Sequence, residues 1–372
     1  MKRWHLAVLV GTRPEAIKMA PVIRAIEAVP DARCSLVLTG QHRDLVQPIL
    51  DLFGLHAVHD VQVMREHQSL GALTARALAG LDAWLEAAQP DAVLGQGDTV
   101  SVLAGSLASF FRRIPFAHVE AGLRTQNPLL PFPEEMNRRL TAQVARWHFA
   151  PTEGARTALL REGHPAAHIE VTGNTVIDAL LEVLAMPRPA DLPGDEGRPY
   201  VLVTVHRREN HGDALIRITD ALRALAARYP EIDWILPVHP NPSVRGAVQR
   251  FLSGFANIRL IEPVPYGHFC WLMRGARLIL CDSGGIQEEA PALGVPVLVL
   301  RDETERPEAV AIGANRLVGT MTEAIVEGTR ALLEDDALYA RMASAGSPFG
   351  DGHAAERIVT RLLGDLRASE RR

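Results

Sequence analysis

Short, continuous apolar runs alternate along the chain with longer amphipathic stretches. A strand that helices cover on both faces has no polar side, so its residues form a continuous apolar run. Nine runs predict such strands: Leu6–Val10, Ser35–Leu38, Ala92–Leu94, Phe116–Val119, Trp147–Ala150, Val201–Val205, Trp234–Pro237, Leu278–Cys281 and Val295–Leu300. Helical periodicity predicts helices over Ala16–Val29, Leu70–Ala88, Ala214–Tyr229, Glu323–Leu333 and Ala354–Leu366. The repeated strand–helix–strand order predicts βαβ units and parallel sheets.

A proline-rich stretch, Pro187–Pro199, interrupts this pattern, and the βαβ order begins again at Tyr200. Composition alone would divide the chain there into two halves, each with the pattern of a doubly wound sheet. Ligands of such sheets bind beyond the carboxyl ends of the strands. Two facing sheets would therefore place a binding site in the cleft between the domains.

Length and charge narrow the class of protein. The chain has 372 residues, of which 47% are hydrophobic, enough for two separate cores. Lys and Arg number 39 against 44 for Asp and Glu, a formal charge of −5. A mildly acidic chain has no general attraction to nucleic acid or to an anionic membrane, so neither partner is expected and any phosphate binding must be local.

The cysteines, Cys34, Cys270 and Cys281, have no metal-ligand or disulfide spacing, so no metal site is expected. The first apolar run is too short for a signal peptide, and no run approaches 18 apolar residues. We therefore expect a cytoplasmic protein.

Two cations follow the first predicted strand. Arg13 and Lys18 lie in the segment Gly11–Lys18, near the start of the first helix. Their charge opposes the helix dipole, so an anionic ligand explains them better than helix stability does. Gly11 permits a sharp turn, but the segment lacks the glycine fingerprint of a dinucleotide site.

Four acids come at strand ends or helix starts. Asp98 follows a predicted strand, and its alternative role is the N-cap of the next helix. Glu120 ends a buried strand, where a carboxylate needs a partner or a function, and Arg124 is a candidate salt-bridge partner. Glu134 and Glu135 begin a helix, where the dipole alone would explain both.

In the second half, His206 follows the first strand beside Arg207 and Arg208, a composition that suits phosphate contact and proton donation to a leaving oxygen. A solvated basic turn is the alternative. His239 is a second candidate.

The strongest local signal follows the run that ends at Cys281. Ser283, Gly284 and Gly285 open a helix and can direct backbone N–H groups at a diphosphate. Glu289 lies one turn beyond, where its carboxylate could bind a ribose diol. Arg306 follows the next strand.

Taken together, these motifs resemble the non-hydrolysing UDP-N-acetylglucosamine 2-epimerases, bacterial enzymes of the GT-B fold. The resemblance covers nearly the whole chain and rests on nine motifs in family order: Gly11–Lys18, Gly97–Thr99, His118–Thr125, Pro133–Arg138, Thr172–Asp178, His206–Glu209, Pro237–Pro242, Asp282–Pro291 and Thr304–Ala309.

The resemblance implies an α/β protein of two doubly wound, Rossmann-like domains that face each other across a cleft. It places the first domain at residues 1–172 plus a C-terminal helix, 356–372, and the UDP-binding domain at 173–355. Pro187–Pro199 is then a surface loop of the second domain. A homodimer and a role in surface polysaccharide precursor supply are also implied.

The resemblance further implies interconversion of UDP-GlcNAc and UDP-ManNAc without a cofactor. The roles it implies are catalysis by Asp98, Glu120, Glu134 and His206, and substrate binding by Arg13, Lys18, Phe269, Ser283, Gly284, Gly285, Glu289 and Arg306. Some members have an allosteric second UDP-GlcNAc site, for which Gln41, Arg43 and His239 are the candidates. Gln96 departs from the family pattern, since close relatives often carry His there.

The C2 proton of the sugar is not next to a carbonyl, so its removal needs either transient oxidation or elimination. The missing dinucleotide fingerprint argues against oxidation. Elimination of UDP through a bound 2-acetamidoglucal needs proton-transfer groups on both faces of the ring and a clamp on the departing diphosphate. The alternatives are a GT-B glycosyltransferase, a hydrolysing epimerase and a non-catalytic UDP-sugar sensor.

Overall fold

The structure is a computed structural model that describes residues 2–41, 43–125, 127–194, 197–238 and 242–370. The chain forms two compact units. The first unit comprises Met1–Glu182 and Phe349–Arg372, and the second comprises Val183–Pro348.

The first unit is built on a parallel sheet that has seven strands within the described residues. Its strands are β1 (Trp4–Val10), β2 (Ala32–Leu38), β3 (His59–Asp60), β4 (Ala92–Gln96), β5 (Phe116–Val119), β6 (Trp147–Ala150) and β7 (Ile169–Val171). They lie in the order β3-β2-β1-β4-β5-β6-β7. The chain therefore reverses its winding direction between β1 and β4.

Helices connect these strands: α1 (Arg13–Glu27), α2 (Arg43–Phe53), α3 (Leu70–Ala88), α4 (Val100–Phe111), α5 (Glu134–Val144), α6 (Glu153–Arg161) and α7 (Thr175–Ala185). The central strands are buried along their whole length, which explains their continuous apolar sequence. Helix α4 packs so closely on β1 that a Cβ at Gly105 would lie 2.1 Å from Leu9 Cδ1.

The second unit repeats the design with a parallel sheet of six strands among the described residues. These are β8 (Tyr200–Thr204), β9 (Asp233–Pro237), β10 (Ile258–Ile261), β11 (Leu278–Cys281), β12 (Val297–Val299) and β13 (Asn315–Leu317). Their order, β10-β9-β8-β11-β12-β13, reverses between β8 and β11.

The helices of this unit are α8 (Asp213–Arg228), α9 (Pro242–Leu252), α10 (Tyr266–Gly275), α11 (Gly284–Ala292), α12 (Pro307–Ala311), α13 (Thr322–Glu334) and α14 (Asp336–Ala343). Its core joins Trp234 and the strand interiors to α8 and α13.

The last helix, α15 (Ala354–Glu370), returns to the first unit and packs against α1. The units divide at 182/183 and 348/349, whereas the sequence led us to expect 172/173 and 355/356. The backbone N–H of Asn174 donates to the Phe349 carbonyl (2.6 Å), and that of Ala355 donates to Asp178 Oδ1 (2.8 Å). These bonds join the start of α7 to the segment before α15 within the first unit.

All nine predicted runs form strands, and the five predicted helices are present with ends shifted by a few residues. Four further strands, β3, β7, β10 and β13, are the edges of the two sheets. No helix in the described part of the chain is both long and apolar enough to span a membrane.

Candidate active site

The residues of interest in the first unit follow β1, β4 and β5, and those in the second follow β8 and β11. In each unit the winding reverses between two of these strands, β1 and β4 or β8 and β11. In doubly wound sheets, the carboxyl ends of strands at such a reversal form the ligand site. The fold therefore places the predicted residues where each sheet can bind a ligand.

Arg13 is the first residue of α1, directly after the N-cap Thr12. Its half-buried guanidinium makes no hydrogen bond or ion pair with the rest of the described chain. Gly11 is required for packing, since a Cβ there would lie 2.1 Å from Ser101 Oγ. An unpaired cation at a helix N-terminus indicates an anion-binding role.

Glu120 is the most constrained of the three predicted acids. It follows β5 with a backbone φ of 60°, a strained conformation for a residue other than glycine. Its Oε1 accepts hydrogen bonds from Lys18 Nζ (2.7 Å) and Asn174 Nδ2 (3.0 Å), and Gln96 Nε2 donates to its Oε2. Three donors therefore fix the position of a carboxylate that is 8% exposed.

Two interpretations of these acids are wrong. Arg124 does not pair with Glu120: its Nε and Nη2 donate to the carboxylate of Glu162 at 2.7 and 2.8 Å. Asp98 is not the N-cap of α4, because Thr99 occupies that position and its hydroxyl accepts from the Val102 N–H.

Asp98 instead pairs with Arg138, whose Nη2 lies 2.8 Å from its Oδ2. The loop that carries Asp98 lies against Glu120: a Cβ on Gly97 would be 3.7 Å from Glu120 Oε2. Asp98 and Glu120 are thus neighbouring acids at the carboxyl ends of two adjacent strands.

The two acids that begin α5 have different environments. Glu135 is fully buried and pairs with Arg138 (3.1 Å) and Arg139 (2.8 Å). Glu134 is half-buried, and its carboxylate has no hydrogen bond or ion pair elsewhere in the described chain. Glu135 therefore stabilises the fold, whereas Glu134 keeps its carboxylate available for a ligand.

Of the residues considered for a second, allosteric site, Gln41 accepts a hydrogen bond from the Ser101 hydroxyl (3.0 Å). Arg43 begins α2, and His239 lies outside the described residues.

In the second unit, Asp282 is a buried carboxylate that organises the loop after β8. It accepts the backbone N–H groups of His206 (3.0 Å) and Arg207 (2.9 Å) and the Asn210 side chain (3.0 Å). Burial by itself would raise the pKa of Asp282, but its bonds with His206 and the loop outweigh burial and lower it.

His206 Nδ1 lies 3.0 Å from Asp282 Oδ1. Because an ionised carboxylate only accepts hydrogen bonds, Nδ1 carries the proton of this bond. The ring is 43% exposed.

Helix α11 begins beside this dyad. Ser283 is its N-cap and makes no side-chain capping bond, while Gly284 and Gly285 form its first turn. A Cβ at Gly284 would lie 3.6 Å from an Nη of Arg207, whose guanidinium has no partner in the described part of the chain. Free N–H groups and an unpaired cation make this helix start a candidate phosphate site.

Two of the remaining residues predicted to bind substrate in the second unit are bonded to neighbouring side chains. Tyr266 Oη donates to Glu289 Oε1 (2.8 Å), and burial raises the pKa of that tyrosine, which keeps it a donor. Phe269 lies three residues beyond Tyr266 on α10 and is half-buried. Arg306 is ion-paired with the buried Glu288.

Sequence reasoning gave no role to several residues that hold the site: Asn174, Arg138, Asp282 and Tyr266. Only Asp282 had a readable signal, as an acid directly after a buried strand. Across the described residues, no group of three or more His, Cys, Asp or Glu side chains could hold a metal ion.

Two parallel-sheet α/β units, each with polar and charged side chains at the reversal of its sheet, are the organisation of the GT-B class. The family model for UDP-N-acetylglucosamine 2-epimerase matches residues 24–363. The chain therefore belongs to the UDP-N-acetylglucosamine 2-epimerase family, and the expectation of an epimerase of this family is confirmed.

Individual relatives and a solved structure support the same family assignment. The chain is 48% identical to the UDP-N-acetylglucosamine 2-epimerase of Escherichia coli K12, covering 95% of this chain and 96% of the relative. It is 50% identical to a probable enzyme of the same name from Ralstonia solanacearum, again covering 95% and 96%. The crystal structure of the Neisseria meningitidis enzyme bound to UDP-GlcNAc is similar with a TM-score of 0.87 and 45% identity, covering 97% of this chain and all of that one.

Proposed function

We propose that the chain interconverts UDP-GlcNAc and UDP-ManNAc by elimination and re-addition of UDP. The observation that carries the proposal is the position of two acids, Asp98 and Glu120, at the ends of adjacent strands, with Glu120 held by Lys18 and Asn174. A UDP-sugar binding protein without proton transfer has no use for such a cluster. Membership of the epimerase family supports the same reading.

In the elimination, a carboxylate removes the C2 proton and the C2–H electron pair forms the C1–C2 double bond. The C1–O bond breaks, and its electron pair leaves with UDP. In the return step the UDP oxygen attacks C1, and an acid on the other face of the ring protonates C2. We propose that Asp98, Glu120 and Glu134 carry these protons, because general acid–base groups are then available on both faces.

The departing diphosphate carries the developing negative charge. We propose that the N-terminus of α11, at Ser283–Gly285, binds it together with Arg13, Lys18 and Arg306. His206 assists through Nε2, since Asp282 fixes the other ring nitrogen as a donor. Glu289 and Phe269 would bind the ribose and the uracil, as the family resemblance implies.

Proton NMR of UDP-GlcNAc with the purified protein in D2O tests the proposal. We expect a UDP-ManNAc anomeric signal and deuterium at C2 of both sugars. Product with protium retained at C2 would refute elimination. UDP released in step with turnover would favour a hydrolysing epimerase, sugar transfer to an acceptor a glycosyltransferase, and binding without exchange a sensor.

The variant Asp98→Asn sharpens the assignment. Loss of one general acid–base group lowers turnover by about 10²-fold or more, while UDP affinity, measured by calorimetry, changes little. An equal loss of UDP affinity would contradict the role of Asp98 at the sugar. The supply of surface polysaccharide precursors and a homodimer remain proposals that rest on the family resemblance.

A further inference from the structure

A buried acid in the first unit has no part in the proposed chemistry. Glu15 is the third residue of α1, and it is 2% exposed. Its Oε2 accepts the backbone N–H groups of Gly11 (2.8 Å) and Thr12 (2.5 Å). Its Oε1 accepts a hydrogen bond from Thr99 Oγ1 at 2.6 Å, from a residue 84 positions away.

One carboxylate therefore joins two loops. The first is the turn after β1, which leads directly into Arg13. The second is the loop after β4, in which Thr99 follows Asp98 and caps α4 by accepting the Val102 N–H at 3.3 Å. These are the two strand ends at which the sheet reverses.

We propose that Glu15 is a positioning residue that holds the Arg13 turn and the Asp98 loop at a fixed separation. The inference rests on the proposed function, in which Arg13 binds the diphosphate and Asp98 transfers a proton at the sugar. Fixing the distance between these loops fixes the acid relative to the bond that breaks. A displacement of about 1 Å between such groups can lower a rate by about 10²-fold.

Helix stability alone does not account for this arrangement. In a capping box, the side chain of the third helical residue accepts only the N-cap N–H, and the N-cap side chain accepts the N–H of that third residue. Glu15 makes that bond and two more, to Gly11 and to Thr99. Burial raises the pKa of Glu15 to about 7 in spite of these bonds, so a carboxylate is an unfavourable choice for packing alone.

The first pair of variants separates geometry from charge. Glu15→Gln can keep every bond, because its carbonyl oxygen accepts from Gly11 and Thr12 and its NH2 group donates to the Thr99 oxygen. We expect its kcat within about 3-fold of wild type and an unchanged pH profile. Glu15→Ala breaks all three bonds, and we expect kcat to fall about 10- to 100-fold with UDP affinity unchanged. Loss of kcat in Glu15→Gln would overturn the proposal, because the charge itself would then be needed.

The second set of variants removes the Glu15–Thr99 hydrogen bond by changing Thr99. Thr99→Val removes the hydroxyl and should lower kcat as Glu15→Ala does, whereas Thr99→Ser should retain it. The double variant Glu15→Ala/Thr99→Val should have a kcat no lower than that of Glu15→Ala, because both substitutions break the same Glu15–Thr99 bond. Additive losses would mean that Thr99 acts on the substrate directly, against the proposal.

Thr152→Val is the matched control, since Thr152 caps α6 by accepting the Ala155 N–H at 3.2 Å. It should lower the melting temperature about as much as Thr99→Val but leave kcat unchanged. If Thr99→Val and Glu15→Ala also leave kcat unchanged, the link is only structural and the proposal fails.

Amide hydrogen exchange of the ligand-free protein tests the link apart from activity. In Thr99→Val, exchange should rise at Gly11 and Thr12, whose N–H groups bond Glu15, and should not rise in Thr152→Val. Unchanged exchange at Gly11 and Thr12 would overturn the inference. Failure of the proposed function would show differently, as a wild-type protein that exchanges no C2 proton while the two loops remain coupled.

Discussion

Two buried histidines beside the candidate acids make the first unit sensitive to acid. His118 and His148 are adjacent in register on β5 and β6 and are 0% and 1% exposed. Burial lowers the pKa of His118 to about 4 and that of His148 to about 3. His118 Nε2 also lies 2.7 Å from the carbonyl of Gly97, the residue before Asp98, so loss of this packing would disturb the site.

The direction in which stability changes with pH follows from the number of protons that the folded and unfolded states bind. Unfolded histidine has a pKa of about 6.5, so below that pH the unfolded chain binds protons that the folded unit does not. Folding stability is therefore lost as the pH falls from 6.5 towards the folded values. With folded pKa values of about 4 and 3, each histidine costs about 2 kcal/mol between pH 7 and pH 5.

Glu15 acts in the opposite direction. Its folded pKa of about 7 lies above the ordinary value, so the folded unit binds the extra proton and gains about 2 kcal/mol over the same range. Opposing contributions of this kind partly cancel in the wild-type slope, so the comparison of variants is more informative.

We expect His148→Leu to reduce the pH dependence by about 2 kcal/mol between pH 7 and pH 5, whatever its effect on stability at pH 7. Urea unfolding monitored by pulsed amide hydrogen exchange measures this pH dependence of the free energy of unfolding. Each unit's unfolding transition is followed in peptides that belong to that unit. His353→Gln, an exposed histidine of the same unit, is the control and should leave the slope unchanged. Equal slopes for wild type and His148→Leu would refute the reasoning.

Three further changes test the site. Asp282→Asn should lower kcat, because His206 loses the anionic acceptor that orients its ring at Nδ1; an unchanged kcat would contradict the dyad. Glu134→Gln should lower turnover about 10²-fold with unchanged stability, whereas Glu135→Gln should cost about 3 kcal/mol of folding free energy in urea unfolding because it removes the buried anion that Arg138 and Arg139 both bond. Arg207→Gln should weaken UDP binding in calorimetry about 10-fold without a loss of stability, since its guanidinium has no partner in the described chain, and unchanged affinity would exclude it from the phosphate site.

The difference between predicted and unpredicted strands has one cause. The nine predicted strands include every central strand, and helices bury both of their faces, so their sequences are mostly apolar. The four that were not predicted, β3, β7, β10 and β13, are edges with half-exposed residues. Their short, mixed sequences resemble loops.

The partners of the site residues depend on contacts far apart in sequence. Arg124 is four residues from Glu120 and looked like its partner, yet Lys18, 102 residues away, makes the bond. Asn174, 54 residues beyond Glu120, makes another. Parallel strands bring their carboxyl ends to one edge, so the neighbours there come from different βαβ units.

The sequence by itself determined the α/β class, the central strands and the positions of the site residues at strand ends, because local periodicity and chain order encode these. Only the tertiary structure decided which of the acids are held by partners, since burial and pairing depend on which strands are adjacent. Glu134 and Glu135 show this most plainly: they are neighbours in one helical turn, and packing alone makes one a structural anchor and leaves the other available for a ligand.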